Sequence, residues 1–153
     1  VSGDRPGGGR LAGGAHILPV RVYWEDTDAG GIVYHASYIR FMERGRTEFL
    51  RAVGLDQSAM QTLPAPVLIV VRRMTVDYLK PAKLDDALTV ETRITGMSGA
   101  RVEMTQTVRR GGTVLVTAEV MAATIGGDGR PCRMPEAMRA LFAPLVSVPG
   151  GDI

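Results

Sequence analysis

The sequence predicts an α+β domain, with one long helix laid against one face of a five-stranded antiparallel sheet. Three observations predict it. Apolar residues recur at three- and four-residue steps over 38–53, the period of a helix face. Five stretches alternate apolar and polar side chains with period two, as half-buried strands do. The links among the last strands are of hairpin length, which joins antiparallel neighbours.

The bulk numbers narrow the classes. A chain of 153 residues is the size of one domain with one core. Hydrophobic content of 45% and charged content of 22% are ordinary for a soluble protein. A net charge of +2 is too mild to argue for nucleic acid, although it leaves room for a basic patch that holds a phosphorylated ligand. The single cysteine, Cys132, excludes an intrachain disulfide and a cysteine metal cage. No apolar run approaches the ~18 residues of a membrane span. The N-terminal residues lack a signal peptide's apolar centre, so the expected compartment is the cytoplasm.

The elements follow in order. Residues 1–15 are Gly-rich and nearly free of large apolar side chains, so a flexible tail is expected. A single domain then spans 16–143, and 144–153 form a C-terminal tail. His16 reads as a polar residue at a strand entrance. From Val20 the first strand alternates, Val20, Val22 and Trp24 facing one way and Arg21, Tyr23 and Glu25 the other, with Pro19 at its start. The long helix begins between Tyr34 and Tyr38 and stops at Gly54. Its apolar stripe carries Tyr38, Phe41, Met42, Gly45, Phe49, Ala52 and Val53, and Gly45 permits close approach to a packing partner. Leu55 to Pro66 form a connector with room for one helical turn. Four strands follow, over 67–79, 88–95, 101–108 and 114–125, punctuated by Lys80-Pro81, Ser98-Gly99 and Gly111-Gly112. Pro135 to Phe142 suit a short helix. One helix covers such a sheet only in part, so a homo-oligomer is expected.

The chemistry concentrates between the first strand and the helix, in Trp24-Glu25-Asp26-Thr27-Asp28-Ala29-Gly30-Gly31-Ile32-Val33-Tyr34-His35. A carboxylate there lies near the free N–H groups that open the helix. One group can supply a base or nucleophile and the other a place for negative charge, the combination needed to attack a carbonyl. Asp28 before Ala29-Gly30 also suits a plain turn residue. Asp26 is expected to hold the turn by side chain-to-backbone bonds. Glu43 falls on the polar side of the helix, as a solvated or salt-bridged acid.

The segment Tyr23-x-Glu25-Asp26-Thr27-Asp28-x-x-Gly31-Ile32-Val33-Tyr34-His35-x-x-Tyr38-Ile39-x-Phe41-Met42-Glu43-x-x-Arg46 resembles the hotdog-fold acyl-CoA thioesterases. It is closest to the branch of hydroxybenzoyl-CoA thioesterase and the Tol-Pal-associated acyl-CoA thioesterases. Arg72-Arg73-Met74-Thr75-Val76-x-Tyr78, Pro81-Ala82 and Leu84-Asp85-Asp86 fit as well, so the match runs from about Val20 to Ile125. The resemblance implies a hotdog fold, a curved antiparallel sheet wrapped around one helix. It implies hydrolysis of acyl-CoA without metal, cofactor or prosthetic group. It places the catalytic Asp on Asp28 and the carbonyl-polarising backbone N–H on His35, with Gly31, Val33 and Tyr34 at the substrate. The site then lies between two subunits of a homodimer or homotetramer.

CoA phosphates need cations. The candidates are Arg72, Arg73, Lys80, Lys83, Arg101, Arg109 and Arg110. The turn Ser98-Gly99-x-Arg101 falls where the resembling enzymes contact CoA, which selects Ser98 and Arg101, then Arg72. This turn is less basic than in hydroxybenzoyl-CoA thioesterase, which keeps an acyl carrier protein open as the alternative carrier. Two rival functions share the fold. A hydroxyacyl-thioester dehydratase would use His35 and an acid, and a non-catalytic acyl-CoA or carrier-protein binding module would bind without turnover.

Overall fold

The computed structural model describes residues 3–61 and 65–147. Residues 1–2, 62–64 and 148–153, which include parts of both expected tails and of the connector, lie outside the described residues. The elements are β1 (Arg10–Ala12), β2 (Ala15–Arg21), α1 (His35–Ala52), α2 (Gln57–Gln61), β3 (Val67–Tyr78), β4 (Ala87–Ser98), β5 (Arg101–Arg110), β6 (Thr113–Gly126) and α3 (Glu136–Phe142). All strands belong to one antiparallel sheet in the order β1-β2-β4-β5-β6-β3, with α1 packed on β2, β4 and β5. This is the hotdog arrangement.

The alternation read from the sequence is the alternation of burial. Val90 and Ile94 of β4, Val102 and Met104 of β5, and Val116 and Val120 of β6 all face the helix. From α1 they meet Tyr38, Phe41, Met42, Phe49 and Leu50. Phe41 and Phe49 are each 1% exposed, and burying one such ring is worth roughly 1.5–3 kcal/mol. Gly45 lies where helix and sheet come closest. A Cβ there would stand 2.9 Å from Val90 Cγ1 and 3.2 Å from both Gln106 Nε2 and Thr92 Oγ1.

Four expectations change. Among the described residues the sheet has six strands, because Arg10–Ala12 pair with Ala15–Ile17 where a tail was expected up to residue 15. At the other end Val146 bridges Ile94, and Ser147 N–H donates to the Ile94 carbonyl, so chain beyond 143 packs on the sheet. The first strand begins at Ala15, with Pro19 inside it and not at its start, and ends at Arg21. Val22 stays buried, but Trp24–Asp26 form a single 3-10 turn and Trp24 is 80% exposed, not on the apolar face. His16 stands at the entrance of β2 as expected, and is fully buried there with its ring edge against Phe49. On α1 the apolar stripe stops short of Ala52, and Leu50 is buried in its place.

Two features of the sheet bear on the site. β3 is a 12-residue edge strand, and Val71 on it is 45% exposed. A β-bulge falls between Val71 and Arg73, which leaves Arg72 as the extra residue and re-aims it.

Candidate active site

The Asp28 turn is a short antiparallel ribbon. Asp26 carbonyl accepts Tyr34 N–H (2.8 Å), Thr27 stands opposite Val33, and Asp28 N–H donates to Ile32 carbonyl (2.9 Å). At the tip Asp28 Oδ1 accepts Gly30 N–H (2.8 Å) and Asp28 carbonyl accepts Gly31 N–H (3.1 Å). Gly31 has φ of 80°, the left-handed region that a side chain disfavours. Asp26 is buried, and its Oδ2 accepts Tyr23 N–H (2.8 Å), the turn-holding role expected of it. One oxygen of Asp28 is therefore engaged in the turn. The side chain is exposed.

The ribbon delivers the chain to α1, with Tyr34 as the cap residue. The N–H groups that open a helix have no acceptor within it. Three neighbours are satisfied from outside: Val33 N–H by Ala82 carbonyl (2.9 Å), Tyr34 N–H by Asp26, and Ser37 N–H by Tyr34 carbonyl (2.8 Å). His35 and Ala36 N–H have no acceptor among the described residues. An exposed carboxylate and two open amide donors thus lie on either side of one turn. The donors can hold a carbonyl oxygen as it gains negative charge, and the helix dipole favours that charge.

The remaining expected residues fall in three places. Tyr34 and His35 are exposed beside the donors, with ring centroids 4.5 Å apart. The His35 ring also meets Tyr78 edge-on at 6.2 Å, and no hydrogen bond joins it to Asp28. Val33 is 3% exposed and its N–H is occupied, so it anchors the turn from within the core, a correction to its expected place at the substrate. Arg72, Ser98 and Arg101 line one surface groove, with Ala100, Met121 and Pro131. That groove is remote from the turn within one chain: Arg72 lies about 20 Å along β3 from Tyr78, at ~3.4 Å per residue. A separate cavity of about 50 Å³ lies under the later turns of α1, lined by Arg46, Phe49, Ile69 and Val71 among others, and includes no residue of the Asp28 turn.

Of the other basic candidates, Arg109 pairs with Glu91 and Arg110 with Asp86, so both are engaged. Arg101 lies 3.7 Å from Glu103. Glu43 is ion-paired to Arg46, as a salt-bridged acid. Beyond Asp26, sequence reasoning gave no part in the site to the residues that brace the turn. Tyr78 hydroxyl donates to His35 carbonyl (2.9 Å), and Ala82 N–H donates to Tyr38 hydroxyl (2.9 Å). The signal was present, since Tyr38, Tyr78 and Ala82 all stand in the segments that carried the family resemblance.

Comparison with known proteins identifies the family. Residues 22–142 match the thioesterase-like superfamily. The acyl-CoA thioester hydrolase YbgC of Escherichia coli O6:H1 is 47% identical over 126 residues, covering 81% of this chain and 92% of that protein. The acyl-CoA thioesterase YbgC of Haemophilus influenzae is 42% identical, covering 82% and 92%. The crystal structure of a probable thioesterase from Bartonella henselae is similar with a TM-score of 0.76 and 42% identity, over 79% of this chain and 99% of that one. The match spans the Asp28 turn, the whole of α1 and every strand from β3 to β6, and on that footing the chain belongs to the thioesterase-like superfamily.

Proposed function

We propose that the protein hydrolyses the thioester of an acyl-CoA to the free acid and the CoA thiol. The observation that carries this is the pair of open N–H groups at His35 and Ala36, at the end of the same ribbon whose tip presents the exposed carboxylate of Asp28. The thioester carbonyl oxygen accepts a hydrogen bond from His35 N–H. Asp28 drives attack on the carbonyl carbon, as a base towards water or as the nucleophile itself. The tetrahedral oxyanion rests on the amide donors, one such donor being worth ~2.7–4 kcal/mol. The C–S bond breaks and the thiolate leaves, taking up a proton as the CoA thiol; where Asp28 is the nucleophile, water then cleaves the acyl–Asp28 anhydride to release the acid. Relatives with acyl-CoA in their names support this choice of substrate.

The groove of Arg72, Ser98 and Arg101 is the natural seat for CoA phosphates, and a second copy of the chain brings it to the turn. β3 is a long edge strand with exposed apolar side chains, a template for pairing. Antiparallel pairing of two β3 edges sets the Arg72 end of one against the Tyr78 end of the other. Each site then takes Asp28 and His35 from one protomer and the basic groove from its partner. Within this reading the enzyme works in the cytoplasm, which cell fractionation checks. An acyl carrier protein in place of CoA is an outcome of the substrate assay below.

A thiol-release assay over short, medium, long and aromatic acyl-CoAs, with acyl carrier protein thioesters alongside, tests the reaction. Free thiol is expected, and formation of an enoyl product or binding without turnover would reject it. Sedimentation velocity at micromolar concentration is expected to show a dimer, and Val71→Lys to give inactive monomers.

A further inference from the structure

We propose that Tyr78 and Tyr38 are positioning residues, holding the opening of α1 by its carbonyl side so that the His35 N–H stays free for substrate. The inference rests on the reading of that N–H as the oxyanion donor. An ordinary N-cap side chain would accept a hydrogen bond from the N–H of the second or third helical residue and so compete at the opening. This helix has none: its cap residue is Tyr34, which makes no side-chain capping bond. Helix ends fray, and an uncapped one that presents a catalytic donor needs fixing from elsewhere.

The segment 78–86 supplies that fixing. Tyr78 hydroxyl donates to the carbonyl of His35 (2.9 Å), on the far side of the residue from the open N–H. Its ring packs edge-on against His35 and, at 5.8 Å, against Tyr38. Tyr38 is 3% exposed, and its hydroxyl accepts Ala82 N–H (2.9 Å). Ala82 carbonyl in turn accepts Val33 N–H (2.9 Å), two residues before the helix. The turn is thus gripped on both sides of His35 by one segment. That segment is itself tied down. Arg110 donates to Asp86 Oδ2 (2.8 Å) and to Pro81 carbonyl (3.3 Å), and Lys83 N–H donates to Asp86 Oδ2 (2.9 Å). No bond in this chain of contacts uses the His35 or Ala36 N–H.

The test is steady-state kinetics and thermal melting of the full chain for Tyr78→Phe, with Asp28→Asn measured in parallel. Phe keeps the ring and removes one exposed hydrogen bond. Because an error of about 1 Å in a reacting group can cost up to ~100-fold, kcat of Tyr78→Phe is expected to fall about 10-fold or more, with KM within about twofold and the melting midpoint nearly unchanged. Wild-type kcat in Tyr78→Phe beside an inactive Asp28→Asn would overturn the positioning role and leave the thioesterase reading intact. Full turnover in Asp28→Asn would overturn the reading and the inference with it. A second pair of variants tests the missing cap. Tyr34→Ser and Tyr34→Ala both lose the ring, but only Ser can cap. Ser is expected to melt higher than Ala yet turn over more slowly, and a Ser variant faster than Ala would sink the argument. A loss of kcat in Tyr78→Phe matched by a collapsed melting midpoint would assign Tyr78 to plain stability.

Discussion

Helix α1 carries two polar constellations, and they differ in what they leave unbonded. At its start, Asp28 is exposed, and the N–H groups of His35 and Ala36 have no acceptor among the described residues. Farther along, Arg46 is buried and closed on itself. It is ion-paired to Glu43 and donates to Gln106 Oε1 (2.8 Å), while Gln106 Nε2 donates to Met42 carbonyl (2.8 Å) and Thr92 Oγ1 (3.0 Å). Arg46, Gln106 and Thr92 are all 9% exposed or less. Burying them is tolerable because the amide, the guanidinium and the hydroxyl all find partners. In the proposed mechanism the first constellation keeps its hydrogen-bonding capacity open for substrate, while the second has filled its own.

Substitution at Asp28 is the strongest way to break the comparison. Asn keeps an oxygen that can accept Gly30 N–H, so the hairpin should persist, but it is neither base nor nucleophile. Turnover of Asp28→Asn is expected to fall ~10²–10⁴-fold, the usual worth of a general base, with the melting midpoint close to wild type. Equal losses of activity and stability would show that Asp28 belongs with the architectural group.

The sequence made this division only half visible. Gln106 alternates in phase with Val102, Met104 and Val108, so its place on the inner face was legible, while its partners on α1 and β4 were not. Gly45 was legible as a point of close approach because it interrupts an apolar stripe. Asp28 and His35 stood out through a long match in one continuous segment. Tyr78 and Ala82 come from the far end of β3 and the loop beyond it, and only the folded chain brings them to the helix start. β1 was missed because a three-residue strand among glycines has no period of its own and exists only against β2. Trp24 misled because alternation continues in the sequence after Arg21, where the chain has already turned. The bulge at Arg72 shifts the register of β3 by one residue, which no local pattern announces.

The closed constellation should respond in stability and not in rate. Gln106→Leu leaves Met42 carbonyl and Thr92 hydroxyl without their partner and removes an acceptor from the Arg46 guanidinium. A loss of about 3 kcal/mol in chemical denaturation is expected, with kcat within about twofold of wild type well below the midpoint. A large fall in kcat at unchanged stability would join the network to the active site. Gly45→Ala tests the same contact sterically. The new methyl must displace Val90, Gln106 and Thr92, at about 1–3 kcal/mol for overpacking, against up to ~1 kcal/mol regained in helix propensity. A net destabilisation of about 1 kcal/mol is expected, and a stabilised variant would show that the helix can lift from the sheet.

The smallest expected effect comes from a third polar group, one that is buried but only partly satisfied. His16 is fully buried, its Nε2 lies 2.8 Å from Gly8 carbonyl, and Nδ1 has no partner among the described residues. The carbonyl needs a donor, which assigns the neutral tautomer with the proton on Nε2. Charging Nδ1 would bury a cation with no acceptor beside it, and Phe49 offers only a ring edge. Burial therefore lowers the His16 pKa from its ordinary 6.5, against opposing pulls from the Gly8 carbonyl and Glu48. The sign follows from which state holds the proton. Below 6.5 the unfolded chain protonates this residue while the folded one resists, so stability is full above that pH and declines as pH falls. The slope from one such proton is at most about 1.4 kcal/mol per pH unit. Asp86 adds a similar limb lower down. The Lys83 N–H and the Arg110 guanidinium hold its carboxyl below the ordinary 3.8, so its contribution is lost only in stronger acid. Denaturation midpoints between pH 7 and pH 5 separate the two: the wild type should weaken, and His16→Gln, which can still donate to Gly8, should flatten the curve in that window. An unchanged slope in His16→Gln would show that His16 binds its proton folded as readily as unfolded, and that the open Nδ1 carries no penalty.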